Sequence, residues 1–526
     1  MSGKVMSADE AVRLIRTGDV VTPSGSAGVV VPDLLLAALG RRFVETGEPR
    51  DLTILAPIAV GDLDSQLGMD HLAHPGLVKR IIAGSYVNGK PAPGRSLEIA
   101  RMVAQNEVEA YNLPLGVVMH LLRDIAARKP GVLTKVGMGT FVDPRNGGGR
   151  LNESAREEIV KLVQLEGEEW LLYKAMPVNV ALIRGTTADE DGNVTMEHEG
   201  MYLGTLSQAL AAHNCGGKVV VQVKRVAQRG SLNPQLVRIP GAFVDAVVVD
   251  ERQLQAPGLA YDPATSGEIR ASLDSLEPLP LGPEKLIARR AMLEVKKGWL
   301  CHLGVGISGL LPRIAVEERV LEHVVFTVEQ GAVGGVSLNA PTMGLSINPA
   351  AILDAPSQFD YICGGGFDVA CLAFAEVDRQ GNVNVSWLPG LPHVLGGCGG
   401  FIEISQNARR VLFCGQFSAG GTMIKVADGS LRIVQEGRHC KFVEQVQHVT
   451  FNGRLARERG QEITYITERA VFRLTPEGLM VTEVAPGVDR ERDVVSRMQF
   501  RPLVSPSVGT MDARLFRSQP MGLRLG

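Results

Sequence analysis

The chain has no long apolar run, no surplus of basic charge and no CxxC pair. Its longest apolar stretches are broken by charge or proline well short of the roughly 18 residues that a membrane helix needs, which excludes a membrane span. Lys and Arg number 54 against 57 Asp and Glu, and a net charge of -3 offers no footprint for nucleic acid or an anionic membrane. Met1 to Asp19 carries Asp9, Glu10 and Asp19 among its apolar residues, a composition unlike a secretory h-region or an acid-poor transit peptide, so the expected location is the cytoplasm. The seven cysteines are odd in number and all follow residue 214, which argues against a disulfide framework. Cys363, Cys371, Cys398 and Cys414 are irregularly spaced, so no metal site is expected and buried, reduced thiols are.

Glycine is what the chain has in quantity. Its 60 glycines fall repeatedly after short β-branched runs and before helical patterns, the rhythm of an α/β fold with mainly parallel sheets. Asp19 to Thr22 reads as a strand, Ser24 to Gly28 as a tight loop and Pro32 to Phe43 as a helix. The unit recurs where Gly298 to Leu303 leads into Gly304-Val305-Gly306-Ile307-Ser308-Gly309 and a helix to about Arg319. Val178 to Val194 aligns with Phe367 to Val383, each a buried strand followed by a turn ending in Gly-Asn-Val, and each is followed by a further apolar strand, Lys218 to Lys224 or Arg410 to Cys414. Two homologous open α/β domains are expected, residues 1–280 and 281–526, with an insertion at about 90–175 of the first. Leu276 to Pro283 has linker composition, and the cleft between the halves is the natural ligand site.

One carboxylate stands out. Glu329 ends the apolar run Val324 to Val328 and abuts the glycine turn Gly331 to Gly335. An isolated Glu leaving β-formers is ordinarily a solvated strand end, but glycines beside it let a ligand approach the backbone closely. Gly304, Gly306 and Gly309 spell GxGxxG, and Glu329 lies 20 residues beyond the last, which is also dinucleotide-binding spacing. A dehydrogenase would use Glu329 on a ribose diol and would not need the second glycine loop. The corresponding N-terminal loop, Gly25-Ser26-Ala27-Gly28, lacks that spacing. A third cluster, Gly396 to Gly400, adds unobstructed amide N–H groups suited to phosphates, pantetheine amides and oxyanions, pointing to acyl transfer more than hydride transfer. His198, in Glu197-His198-Glu199-Gly200, reads as part of a solvated acidic loop, and His302 as structural.

TVEQGAVGG (327–335), FDYICGGGFDVA (359–370), GNVNVS (381–386), GGCGGFIEISQNARRVLFCGQFSAGG (396–421) and ITERAVFRLTPEGLMVTEVAPGVD (466–489) resemble class I coenzyme A transferases of the single-chain acetate, propionate and 3-oxoacid type. YNLPLGV (111–117), KVGMGTFVDPR (135–145) and GGKVVVQVKR (216–225) extend the resemblance into the first half. It implies that Glu329 is the catalytic nucleophile, forming an acyl-glutamyl anhydride and then a glutamyl-CoA thioester. It also implies that Gly304, Val305, Gly306, Ile307, Ser308, Gly397, Gly399 and Gly400 contact CoA, and that Gly25, Ala27, Gly28 and Tyr86 lie at the acyl or oxyanion pocket. Coenzyme A is then substrate and covalent intermediate, acyl-CoA and carboxylic acids are the partners, and no other cofactor is required. A homo-oligomer, dimer or tetramer, is implied too. Gln330, Ser85 and Tyr86 depart from the family pattern and bear on acyl specificity, and the segment Met343 to Asn348 departs from it as well. An acyl-CoA hydrolase on the same scaffold is the alternative. A carboxylate needs no general base at neutral pH because it is ordinarily ionised already.

Overall fold

The computed structural model describes residues 3–61, 67–86, 97–387, 396–427 and 429–526. β-Branched runs punctuated by glycine form the strands of two large sheets. In the first half these are β1 (Val20–Pro23), β2 (Leu52–Ala56), β3 (Val78–Ala83), β4 (Glu109–Asn112), β5 (Val180–Arg184), β6 (Lys218–Val223) and β7 (Ala246–Val249), in the order β7-β6-β5-β1-β2-β3-β4. Every neighbouring pair is parallel. Such strands are covered on both faces, and β5 is buried along its whole length.

Helix α1 (Asp33–Thr46) follows β1 and ends three residues beyond the expected end at Phe43. Gly47 ends it in the left-handed conformation, φ 71°, with its N–H donated to the Phe43 carbonyl. Helix α2 (Leu115–Ala126) follows β4. Among its described residues, the stretch expected to hold the insertion, about 90–175, contains a three-stranded antiparallel sheet, Gly131–Thr134, Val160–Leu165 and Glu168–Lys174.

The second half repeats the plan. Strands β8 (Leu300–Leu303), β9 (Val325–Val328), β10 (Val369–Ala373), β11 (Arg410–Cys414) and β12 (Glu462–Ile466) run parallel in the order β12-β11-β10-β8-β9. Helix α3 (Ala355–Cys363) precedes β10 and α4 (Phe401–Asn407) precedes β11. Five parallel strands of each half, β2-β1-β5-β6-β7 and β9-β8-β10-β11-β12, share the 2-1-3-4-5 order of a doubly wound sheet, which β3 and β4 extend beyond β2 in the first half. The duplication extends to single hydrogen bonds. Asn193 donates its side-chain N–H to Asp189 at 2.9 Å and accepts from the Gly241 N–H at 2.8 Å. Asn382 donates to Asp378 at 2.9 Å and accepts from the Gly453 N–H at 2.9 Å.

One apolar cluster crosses between the halves, joining Ile58, Leu115 and Met119 to Phe359, Phe401 and Ile404. At Gly116 a Cβ would collide with the Phe359 ring, so glycine permits the close approach of α2 and α3. The expected solvated loop at His198 is corrected by the structure. Glu199 is 2% exposed and makes a two-pronged ion pair with Arg184, itself 1% exposed, while His198 stacks on Tyr261 at 4.1 Å. A charge-rich tetrapeptide shows nothing of a partner that lies 15 residues away on β5.

Candidate active site

In a 2-1-3-4-5 sheet the crevice opens at the carboxyl ends of the first and third strands, where the connections leave in opposite directions. In the second half those are β8 and β10, and a cavity of about 220 Å3 lies there. Gly304 and Val305 reach it from the end of β8, Leu372 and Ala373 from β10, and Glu329 from the residue after β9. Gly396 to Gly400, with Phe401 and Ile404 of α4, form another wall, and the first half supplies Ile58 and Ser85.

Glu329 is half-buried, its free surface facing this cavity. Behind it the chain turns sharply: Gly331 has φ 117°, and a Cβ there would strike the Leu353 carbonyl, so this glycine is needed. Each carboxylate oxygen receives one N–H. The Gly400 amide donates to Oε2 at 3.1 Å, and the Gln330 side-chain amide donates to Oε1 at 3.3 Å. Burial raises the Glu329 pKa to about 7, with the Gly400 N–H acting in the opposite direction. This corrects the expectation that the carboxylate is fully ionised at neutral pH. The strand-end position was visible in the sequence, whereas the surrounding apolar walls come from segments far along the chain.

The other expected site residues divide. Gly304, Val305, Gly397, Gly399 and Gly400 line the cavity. Gly306, Ile307 and Ser308 do not: Gly306 points into open space, Ile307 packs on the second-half core, and the Ser308 hydroxyl donates to the Val305 carbonyl at 3.0 Å. Nor does the N-terminal loop line it. Gly25, Ala27 and Gly28 are buried, and the Ala27 N–H donates to the Ala59 carbonyl at 3.0 Å, so the loop supports the segment carrying Ile58 from behind. Tyr86 also turns away. Its hydroxyl lies 2.9 Å from the Tyr111 carbonyl and 3.1 Å from that of Ile81, inside the first-half core. The neighbouring Ser85 faces the cavity instead, as the alternation of an extended segment requires, and its hydroxyl oxygen accepts the Ala59 N–H at 3.0 Å. Val385, Leu372, Phe401 and Ile404 also line the cavity but were not among the expected site residues, and Met343 was noted only as the start of a segment that departs from the family pattern.

His302 is fully buried on β8 with Nδ1 2.8 Å from the Thr327 hydroxyl, and burial lowers its pKa to about 3, so it is neutral. Among the described residues, no group of three His, Cys, Asp or Glu side chains is placed to hold a metal ion, and no helix is long and apolar enough to cross a membrane.

The coenzyme A transferase family profile matches residues 5–250. Acetate CoA-transferase YdiF of Escherichia coli O157:H7 is 42% identical over 523 residues, 99% of this chain and 96% of that protein. The chain belongs to the coenzyme A transferase family. The caffeate CoA-transferase of Acetobacterium woodii is likewise 42% identical, over 99% of this chain and 98% of its own. A crystal structure of the YdiF acyl-CoA transferase in a thioester complex with CoA superposes with a TM-score of 0.92, 42% identity and coverage of 99% and 98%. This CoA-transferase is therefore an enzyme that moves CoA between carboxylic acids. The dehydrogenase alternative is set aside because the family relationship spans 99% of the chain, although the GxGxxG does lead through a 3-10 turn, Gly306–Leu310, into a helix, Leu311–Glu317.

Proposed function

We propose that this CoA-transferase works by ping-pong chemistry through Glu329. The ionised carboxylate attacks the acyl-CoA carbonyl and expels CoA thiolate, leaving an acyl-glutamyl anhydride. The thiolate then attacks the Glu329 carbonyl carbon, releasing the first acid and leaving glutamyl-CoA. A second carboxylate reverses both steps. The observation that carries this reading is the Gly400 N–H at 3.1 Å from Glu329 Oε2 inside a cavity. When thiolate adds to the glutamyl carbon, that oxygen gains the negative charge. A preorganised donor there is worth about 3 kcal/mol to the barrier. The thioester complex described for the solved relative supports the same intermediate.

In this reading residues 281–526 carry the nucleophile and the CoA loops, with Gly304, Val305, Gly397, Gly399 and Gly400 along the thioester arm, and residues 1–280 close the acyl side through Ile58 and Ser85. Ile58, Met343, Leu372, Val385, Phe401 and Ile404 make the lining mainly apolar, so we assign an uncharged acyl chain, a short-chain or 3-oxo acid. A second carboxylate against that surface loses hydration without compensation. CoA serves as substrate and covalent intermediate, with no further cofactor in the scheme. Seven free cysteines agree with a reducing, cytoplasmic setting, and a homo-oligomer completes the proposal.

Incubation with acyl-CoA followed by borohydride should reduce the Glu329 carbonyl to an alcohol, read by peptide mass spectrometry. Absence of that product at Glu329 in an enzyme actively exchanging CoA removes the covalent assignment. Acyl-CoA consumption that is independent of an added acid, with no new acyl-CoA formed, indicates the hydrolase instead.

A further inference from the structure

The loop Gly396 to Gly400 belongs to the second half by sequence, but three of its main-chain groups are met by the first. The Cys398 N–H donates to Asn112 Oδ1 at 2.9 Å, and the Gly399 N–H donates to the Gly84 carbonyl at 2.8 Å. Gly397 bridges to Ser85, and the Leu115 N–H donates to the Gly399 carbonyl at 2.9 Å. Asn112 is 0% exposed and fully occupied: its amide nitrogen also donates to the Ala83 and Gly84 carbonyls at 2.8 and 2.7 Å. One side chain thus ties the end of β3 to the loop that supplies the Gly400 N–H.

A second tie runs through α4. Helix α2 begins after Pro114 with no side-chain cap of its own, leaving its first N–H groups to be met from elsewhere. The Gly399 carbonyl takes the Leu115 N–H, and Glu403 Oε1 takes the Val117 N–H at 3.0 Å. Glu403 is 0% exposed, and its Oε2 has no hydrogen-bond partner among the described residues. The titratable groups bearing on it are Glu329 beyond β9, Cys398 in the loop, Cys363 on α3 and Tyr173 on the strand Glu168–Lys174. None is a cation, and burial raises its pKa to about 8. A neutral carboxyl makes the helix contact without setting a second negative charge near Glu329.

We infer that Asn112 and Glu403 are positioning residues, by which the first half locks the Gly396–Gly400 loop so that the Gly400 N–H meets Glu329 Oε2. Neither lines the cavity. The inference rests on Glu329 being the nucleophile, and its test separates the two. Asn112→Ala frees the Cys398 N–H, so kcat should fall about 100-fold, as for loss of one oxyanion donor, with the KM for acyl-CoA moving far less. The acid limb of the kcat/KM profile should also move to higher pH, because the N–H that lowers the Glu329 pKa is displaced. A merely structural role would not move that limb. Asn112→Asp, which keeps the acceptor for Cys398 but loses both donors, gives a second reading if the alanine protein does not fold. Glu403→Gln preserves a neutral acceptor and should retain activity within about threefold, whereas Glu403→Leu should resemble Asn112→Ala. The inference is overturned if folded Asn112 variants keep the wild-type kcat and acid limb, or if Glu403→Gln falls as far as Glu403→Leu. Borohydride labelling of the wild type is the independent arm: its failure at Glu329 removes the nucleophile, whereas labelling with unaffected variants removes only the positioning role.

Discussion

Replacing Glu329 by Gln should abolish CoA exchange and stabilise the protein, with the stabilisation growing as pH rises. Burial shifts the carboxyl from an ordinary 4.5 to about 7 in the folded chain. Between those values the native state holds a proton that the unfolded state has released, so stability falls as pH rises through this window and levels off above it. At about 1.4 kcal/mol per pH unit, the cost levels off at about 3.5 kcal/mol above pH 8 and is under about 1 kcal/mol at pH 5. Gln cannot ionise, and its amide oxygen still accepts the Gly400 N–H, so the variant escapes the pH-dependent part. For a cooperative unit the size of either half, each kcal/mol moves Tm by roughly 2–4 °C. The Tm advantage of Glu329→Gln should therefore be roughly 5 °C larger at pH 8.5 than at pH 5, measured by calorimetry or near-UV circular dichroism. An advantage of the same size at both pH values, or one that shrinks as pH rises, refutes the reasoning, because a pH-independent effect reports packing and not the burial of a charge.

The same shift sets the catalytic pH dependence. In the proposed mechanism only ionised Glu329 attacks, so kcat/KM for acyl-CoA should rise with pH up to about 7 and then flatten; an acid limb near the ordinary 4.5 would contradict the burial. Gly400→Ala should reduce exchange by at least about 100-fold while the protein stays folded, since a Cβ at that position collides with Glu329 Oε2 and displaces the donor. Wild-type turnover in that variant would show that the Gly400 N–H is not needed.

The repeated units were legible because each is written locally. A parallel strand buried on both faces must be an unbroken β-branched run, and a turn closed by Asp189 and Asn193, or by Asp378 and Asn382, needs its residues within five positions. Glu329 was legible for a related reason, as a lone carboxylate between an apolar strand and a glycine turn. Tyr86 and the Gly25 to Gly28 loop, expected at the acyl pocket, lie off the cavity. An adjacent residue in an extended segment faces the opposite way, and only the packed chain shows that Ser85 takes the cavity side.

By itself, then, the sequence determined two α/β repeats, the strand end that presents Glu329 and the glycine loops able to approach it. The tertiary structure decided what those parts do to each other. The Glu329 carboxyl is shifted to about 7 because apolar walls from both halves remove its water, and its main-chain hydrogen-bond donor is Gly400, 71 residues further on. That donor's loop is tied in turn to Asn112 of the other half. Desolvation and hydrogen-bond direction depend on which surfaces meet in space, and a local pattern specifies only the surfaces.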